Sequence, residues 1–382
     1  MGESTTDSTQ QATAAEATAT IELLRLAMLP GIGPRTITTL LGRFGTPQAI
    51  WKASDQALRA VPGIGAQLLH KIRHAADHVD AEAIIQWCQE AGVTLLTDEH
   101  PAYPSPLATL PDAPPVLFCR GTLADQDRFA IAIVGTRHAT PYGLQQAERI
   151  AYSLARGGCT IVSGLARGID AAAHRGALAA GGRTLAVLGG GLAEIYPPEH
   201  APLAGEVAAQ GALLSEFRPD AKPRSGMFPQ RNRLVSGLSL AVVVIEAPAR
   251  SGALITARFA GEQGRDVYAL PGPVTARASQ GCHQLLRDGA TLIRSADDIL
   301  EGIGPLAATI PHVQGRELRN GAELLLNDQE RSVLEAIGAE ATAIDAVLGS
   351  SRLPSHRVLA TISVLESRGL VRRLSGQYVA RR

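Results

Sequence analysis

The sequence has no net charge, few aromatic residues and no long apolar run, and each shortage narrows what the chain can be. Its 36 Lys and Arg balance 36 Asp and Glu, so no global field draws it to nucleic acid and any basic site must be local. No apolar stretch reaches the roughly 18–20 residues of a membrane span. The first twenty residues hold Glu3, Asp7 and Glu16 but no Lys or Arg, and so lack the basic and apolar segments of a signal peptide. Four cysteines (Cys88, Cys119, Cys159 and Cys282) stand far apart with no CxxC pair, as expected of reduced thiols in a cytoplasmic protein. No GxGxxG and no Walker A sequence occurs, which disfavours a dinucleotide cofactor, and none is expected. GLARGID is not a nucleophile elbow, because Ser163 precedes Gly164.

What is present is 382 residues with 45% hydrophobic content, enough for two or three domains. The organising stretch is Ala130 to Asp170. A short apolar run, Ala130–Val134, breaks at Gly135-Thr136-Arg137. A helical pattern follows, with Leu144, Ala147, Ile150, Ala151, Leu154 and Ala155 at helical spacing, and Gly157-Gly158 stops it before the run Thr160–Ser163. This is a βαβ unit, and parallel sheets bind ligands at the carboxyl ends of their strands. Single strands at Thr184–Leu188, Ala212–Glu216, Leu240–Glu246, Asp266–Leu270 and Thr291–Ile293 alternate with helical segments. The fold class is therefore α/β, a Rossmann-like, doubly wound, mainly parallel sheet.

Residues 1–20 are Ser, Thr, Gln and Ala-rich and read as a disordered tail. Residues 21–91 carry an internal repeat: Leu29-Pro30-Gly31-Ile32-Gly33 recurs as Val61-Pro62-Gly63-Ile64-Gly65, each followed by an apolar helix. This resembles a tandem helix-hairpin-helix module, whose amides can face a DNA phosphate; a helical cap whose glycines permit the turn is the plainer reading. His70, His74 and His78 stack on one face of a continuous helix, a spacing that could hold a metal, although Asp77 and Asp80 point to a solvated face and no metal is expected. Residues 92–115, with six prolines between Pro101 and Pro115, read as a linker. The Rossmann-like domain spans 116–303, a polar linker 304–321, and a small winged-helix-like domain of helices and a hairpin 322–382.

The chemistry-bearing residues cluster in four places. Gly135, Thr136 and Arg137 form the first turn, Gly164, Arg167 and Gly168 belong to the second, and Gly189-Gly190-Gly191 forms the third. Glycine turns let amides approach an anion, and an arginine can grip it bidentately. The fourth is the loop Phe217–Arg233, with Arg218, Lys222, Arg224, Arg231 and Arg233 against the single acid Asp220, and Phe217 and Phe228 interleaved. Cations along phosphates with a ring for stacking are what a single strand requires. Structural readings stand beside these: Arg167 pairing with Asp170, Arg231 and Arg233 pairing with Glu246 or capping a helix, Phe228 in the core, Asp170 as an N-cap and His174 as a buried hydrogen-bonder.

VGTRHATPYG, IVSGLARGIDAAAH, LAVLGGGLAEIYPPEH, FPQRNRLVSGLS, VVVIEAPARSGALITARFAGEQGRDVYALPG and GCHQLLRDGATLI, in that order, resemble the DprA (Smf) family of DNA-processing proteins of natural transformation. The resemblance implies a Rossmann-like core that forms a homodimer, binds single-stranded DNA and loads RecA onto it, with no catalytic activity. It assigns Arg137, the turn Gly164–Gly168, and Arg231-Asn232-Arg233 with Phe228 to the DNA site. Thr136 stands where serine is commoner, His200 where asparagine usually follows, and Pro198 where the family often has lysine, so that Lys222 or Arg224 takes over one backbone contact. The alternative is a nucleotide-processing enzyme of the phosphoribohydrolase type, in which Glu246 would act as the acid. A third reading is a nucleotide-sensing or partner-binding scaffold.

Overall fold

The computed structural model describes residues 18–307, 326, 328–338, 341–351, 353–367, 370–374 and 377–381. Most of the expected tail and linker (1–17 and 308–321) lies outside them. Residues 18–20 open a helix, and helix Ala296–Ala307 runs through the expected boundary at 303.

Among the described residues the central sheet has nine strands: β1 (Val93–Leu96), β2 (Leu117–Gly121), β3 (Ala130–Val134), β4 (Thr160–Ser163), β5 (Thr184–Val187), β6 (Ala212–Ser215), β7 (Ala241–Val244), β8 (Asp266–Ala269) and β9 (Thr291–Leu292). Their order is β1-β2-β6-β5-β4-β3-β7-β8-β9. β3 to β9 pair in parallel, and β2 adds antiparallel to β6 with β1 beyond it. Strands β3 to β7 are buried along their whole length, which is why they read as plain apolar runs. Ile131 and Ile133 face helices Pro141–Arg156 and Ile169–Ala179, whereas Ala130, Ala132 and Val134 face helices Met227–Gly237 and Gly252–Glu262. The winding direction reverses at the β3/β7 pair, the place where such sheets open a crevice.

The helix-hairpin-helix repeat is a repeat of geometry. Gly31 and Gly63 take φ of +93° and +89°, a region that favours glycine. Each precedes a glycine N-cap, Gly33 or Gly65, and a helix, Pro34–Phe44 or Ala66–Arg73. The apolar core of these helices is continuous with Val116, Phe118 and Leu213 of the sheet.

Two expectations fail. Segment 92–115 is not a linker: it supplies β1, paired residue by residue with β2, and a short helix, Ser105–Ala108. Leu107 and Leu110 pack into the sheet core, and the Tyr103 hydroxyl donates to the Pro114 carbonyl at 2.7 Å. Its prolines mark turns and helix starts rather than extension. The histidines do not share one helix, because the backbone turns out of helical geometry at His74 (φ −110°, ψ 35°) between helices Ala66–Arg73 and Ala75–His78. Among the described residues no cluster of His, Cys, Asp or Glu could hold a metal ion, and no helix is long and apolar enough to cross a membrane.

Toward the carboxyl terminus, helices Asp328–Glu335, Ile344–Ser351 and Ser355–Ser367 pack with a three-stranded sheet of β10 (Thr342–Ala343), β11 (Val371–Leu374) and β12 (Tyr378–Arg381). Val333, Val358, Ile362 and Val379 form its separate core. This is a winged helix; the two-residue β10 is too short for the sequence to announce.

His174 on helix Ile169–Ala179 is fully buried. The Thr184 hydroxyl donates its one proton to the Ile161 carbonyl at 2.8 Å. It therefore accepts from His174 Nδ1 at 2.7 Å, which places a ring proton on Nδ1. Burial, reinforced by nearby Arg231 and His200, lowers its pKa from 6.5 to about 3. The unfolded chain thus binds a proton that the folded chain refuses between those values, and stability falls as pH drops through that window, by up to about 1.4 kcal/mol per pH unit. His174→Gln should lose less melting temperature between pH 7 and pH 4 than the parent protein. Parallel acid profiles by thermal scanning would contradict this assignment.

Candidate nucleic-acid interface

Helix Met227–Gly237 crosses the carboxyl edge of the sheet and decides which cations are available. Residues 231, 234, 235 and 238 recur at helical spacing, so Arg231 falls on the apolar face with Leu234, Val235 and Leu238. Its guanidinium donates to the Gly164 carbonyl at 2.7 Å and to the Val187 carbonyl, while Nε donates to Asn232 Oδ1 at 3.2 Å. A Cβ on Gly164 would stand 2.4 Å from that guanidinium, so the glycine makes room for the arginine. Asp170, 7% exposed, is its countercharge. Burial lowers Arg231 to about 10, which still leaves it charged at neutral pH.

Arg233 is likewise internal. It donates to the Asp112 carbonyl at 2.7 Å and forms a close ion pair with Glu216. Burial pushes the Glu216 carboxyl up to about 7 against the opposing pull of Arg233. The expectation that Arg231 and Arg233 meet phosphates is therefore corrected: both sit beneath the surface and bind protein. Neither uses Glu246. Asn232 also serves the scaffold, donating to the Gly252 carbonyl at 3.2 Å.

The turn amides are also largely committed. Thr136 N–H donates to the Glu246 carbonyl at 2.7 Å, and the Gly164 and Ala166 amides point to the Asp170 carboxylate. Gly135 and Gly168 let the first two turns pack together, since a Cβ on either would collide with Ile169 or with the Thr136 carbonyl. Asp170 is not the N-cap; Gly168 is, and Asp170 folds back from the first helical turn. Burial raises its pKa, with Arg231 and those amides opposing. An internal carboxylate thus fills the anion position that the second turn builds. Arg167 pairs with Glu199 at 2.5 Å, not with Asp170. His200 Nδ1 donates to the Leu165 carbonyl, 2.9 Å away, and so braces the same turn.

What faces solvent is an open groove of about 680 Å³ that runs along this edge. Arg137 is exposed, and its guanidinium lies 4.6 Å from the centre of the Phe228 ring. Tyr196, 42% exposed, is 6.0 Å from the same ring. The Phe228 ring sits so close to the third turn that a Cβ on Gly189 would stand 2.6 Å from it. Lys222, Arg224 and Arg250 are exposed; Arg250 lines the groove, and Lys222 and Arg224 are chain neighbours of its lining residues Pro223 and Ser225. Among the described residues none of these three, nor Arg137, has a carboxylate at ion-pair distance. Sequence reasoning missed Arg250 and Tyr196. Arg250 had a usable signal, because it follows β7 at the carboxyl edge where ligands bind.

Glu246 accepts from the Thr140 hydroxyl at 2.6 Å and from the Thr140 amide at 2.9 Å, at the start of helix Pro141–Arg156. It is 4% exposed. Its carboxylate is thus a helix-capping group, and an enzymatic reading that uses it as an acid would have to remove it from that position.

The family model described as DNA recombination-mediator protein A matches residues 94–304, with a tandem helix-hairpin-helix model over 23–77 and the DprA winged helix domain over 319–377. Protein Smf of Synechocystis is 35% identical, covering 94% of this chain and 98% of its own. Among solved structures, DNA processing protein A from Streptococcus pneumoniae aligns at a TM-score of 0.65 with 33% identity, over 74% of this chain and 96% of its own. DNA processing protein A from Helicobacter pylori, studied for its single-stranded DNA binding mode, aligns at 0.50 with 33% identity, over 54% and 93%. On this sequence and structural match, the chain belongs to the DNA recombination-mediator protein A (DprA/Smf) family.

Proposed function

We propose that the groove binds single-stranded DNA, and that the protein shields the strand and delivers it to a RecA-type recombinase in transformation and homologous recombination. The carrying observation is the Arg137–Phe228 pair, an exposed guanidinium over a half-buried ring, in an open groove that Arg250 also lines. Phe228 supplies a stacking face, and Arg137, Lys222, Arg224 and Arg250 meet phosphates. The Helicobacter pylori relative's single-strand binding supports the ligand class, and the recombination-mediator family supports the recombinase as partner. The protein acts here as a homodimer and by binding, without a chemical step. Contacts to phosphates and ring faces carry little sequence information, so preference among sequences is slight.

Four cations at about −0.7 each give a log–log salt slope near −3 for a single strand. Fluorescence anisotropy with a labelled oligothymidine and a matched duplex, at two salt concentrations, measures it. Tight binding that prefers the single strand is expected, and equal, weak binding to both would refute the proposal.

Arg137→Ala should weaken binding about tenfold and flatten the slope by about 0.7, with melting temperature within about 3 °C of the parent. Arg231→Ala should behave in the opposite way. It leaves Asp170 without its countercharge and should cost roughly 3–5 kcal/mol, about 10 °C in melting temperature. An Arg231→Ala protein that melts normally yet fails to bind would return Arg231 to the DNA surface.

A further inference from the structure

The chain has only six phenylalanines, and three of them line two adjoining grooves. Phe118 and Phe129 are core residues, and Phe44 packs among the N-terminal helices. Phe228 lies in the groove already described. Phe217 and Phe259 lie in a second groove of about 510 Å³, between the first helix-hairpin-helix turn and helix Gly252–Glu262. Pro229 and Ile255 line both grooves, so the two meet across that ridge.

The second groove repeats the chemistry of the first. The Arg258 guanidinium lies 5.4 Å from the Phe259 ring centre, as Arg137 lies over Phe228. Arg35, in the first turn of helix Pro34–Phe44, and Arg258 are 76% and 66% exposed. Their ion pairs are long, 3.9 Å to Asp112 and 3.5 Å to Glu262, and exposed pairs of that kind hold a side chain weakly. The groove's more buried acids, Glu216 and Asp112, already face Arg233. Two exposed, weakly paired cations beside two rings therefore remain available to a ligand.

We infer that a bound single strand continues from the first groove over the Pro229–Ile255 ridge into the second. There Phe259 and Phe217 offer stacking faces, and Arg35 and Arg258 meet phosphates. The inference rests on the single-strand reading of the first groove and extends it to the helix-hairpin-helix region. A strand long enough to reach both grooves gains from their linkage, whereas a short one occupies a single groove.

The test compares oligothymidines of about six and about twenty nucleotides, spanning the range of single-strand site sizes. The parent protein is titrated beside Arg35→Ala/Arg258→Ala, Phe259→Leu and Arg137→Ala. The double variant and Phe259→Leu should bind the short strand within about twofold of the parent and the long strand about tenfold more weakly. For the double variant the salt slope on the long strand should shrink by about 1.4. Arg137→Ala should weaken both lengths. Variants that match the parent on both lengths, or that lose both equally, would overturn the second station. So would normal DNA binding joined to loss of recombinase delivery, which would make the groove a protein-docking surface. A parent protein that binds neither strand would instead overturn the reading of the first groove.

Discussion

The Arg231 guanidinium lies beneath the groove floor, donating to carbonyls at the ends of β4 and β5, with the Asp170 carboxylate as its countercharge. A buried charge is tolerated only with a partner and satisfied donors, and each partner becomes a liability without the other. This constraint explains several neighbouring choices. Gly164 is a glycine because the guanidinium rests on it. The second-turn amides turn inward to Asp170 rather than outward to a ligand. His174, close to the same cation, stays neutral. The underside of the groove is an ionic cluster whose groups are already engaged.

That division between internal and external cations was the least legible part of the sequence. Arginine is counted as basic whether it faces water or a carboxylate, and five cations in the Phe217–Arg233 stretch read as one patch. Arg231 shares its helical spacing with Leu234, Val235 and Leu238, whereas Arg233 lies on the other side of the helix and is buried by its contacts with the Asp112 carbonyl and Glu216. For Arg231 the information was present as periodicity, whereas the partners that bury Arg233, Asp112 and Glu216, come from other parts of the chain. The strands, by contrast, were legible because burial on both faces requires continuous apolar runs. The helix-hairpin-helix repeat was legible because a positive φ at Gly31 and Gly63 requires glycine. The proline-rich 92–115 segment misled for the converse reason. Proline fixes a local angle, and β1 follows from pairing with β2, a contact that local angles do not encode.

A chain with no net charge must build its attraction for a polyanion from a local imbalance. Here the imbalance arises by subtraction. Asp170, Glu216, Glu199 and Glu246 all lie near the carboxyl edge of the sheet, and each is already engaged, by Arg231, Arg233, Arg167 or Thr140. The internal arginines offset Asp170 and Glu216, and among the described residues Arg137, Lys222, Arg224 and Arg250 have no carboxylate at ion-pair distance, with the exposed Glu194 the acid that lines the pocket beside Arg137. The buried cations therefore act on the surface without touching it.

The platform carries the same logic to a single side chain. In the proposed mode of binding, Arg137 resting over Phe228 is held extended by the ring, so fewer of its rotamers are lost when a phosphate arrives. A base that takes that face of the ring displaces the guanidinium, which exchanges a cation–π contact of about 0.5–1 kcal/mol for a charge-assisted bond to phosphate. Stacking and phosphate contact are then coupled through one residue. This coupling follows from the 4.6 Å separation of the two groups, and in the proposed mode it lets stacking and phosphate contact act together at one point of the groove.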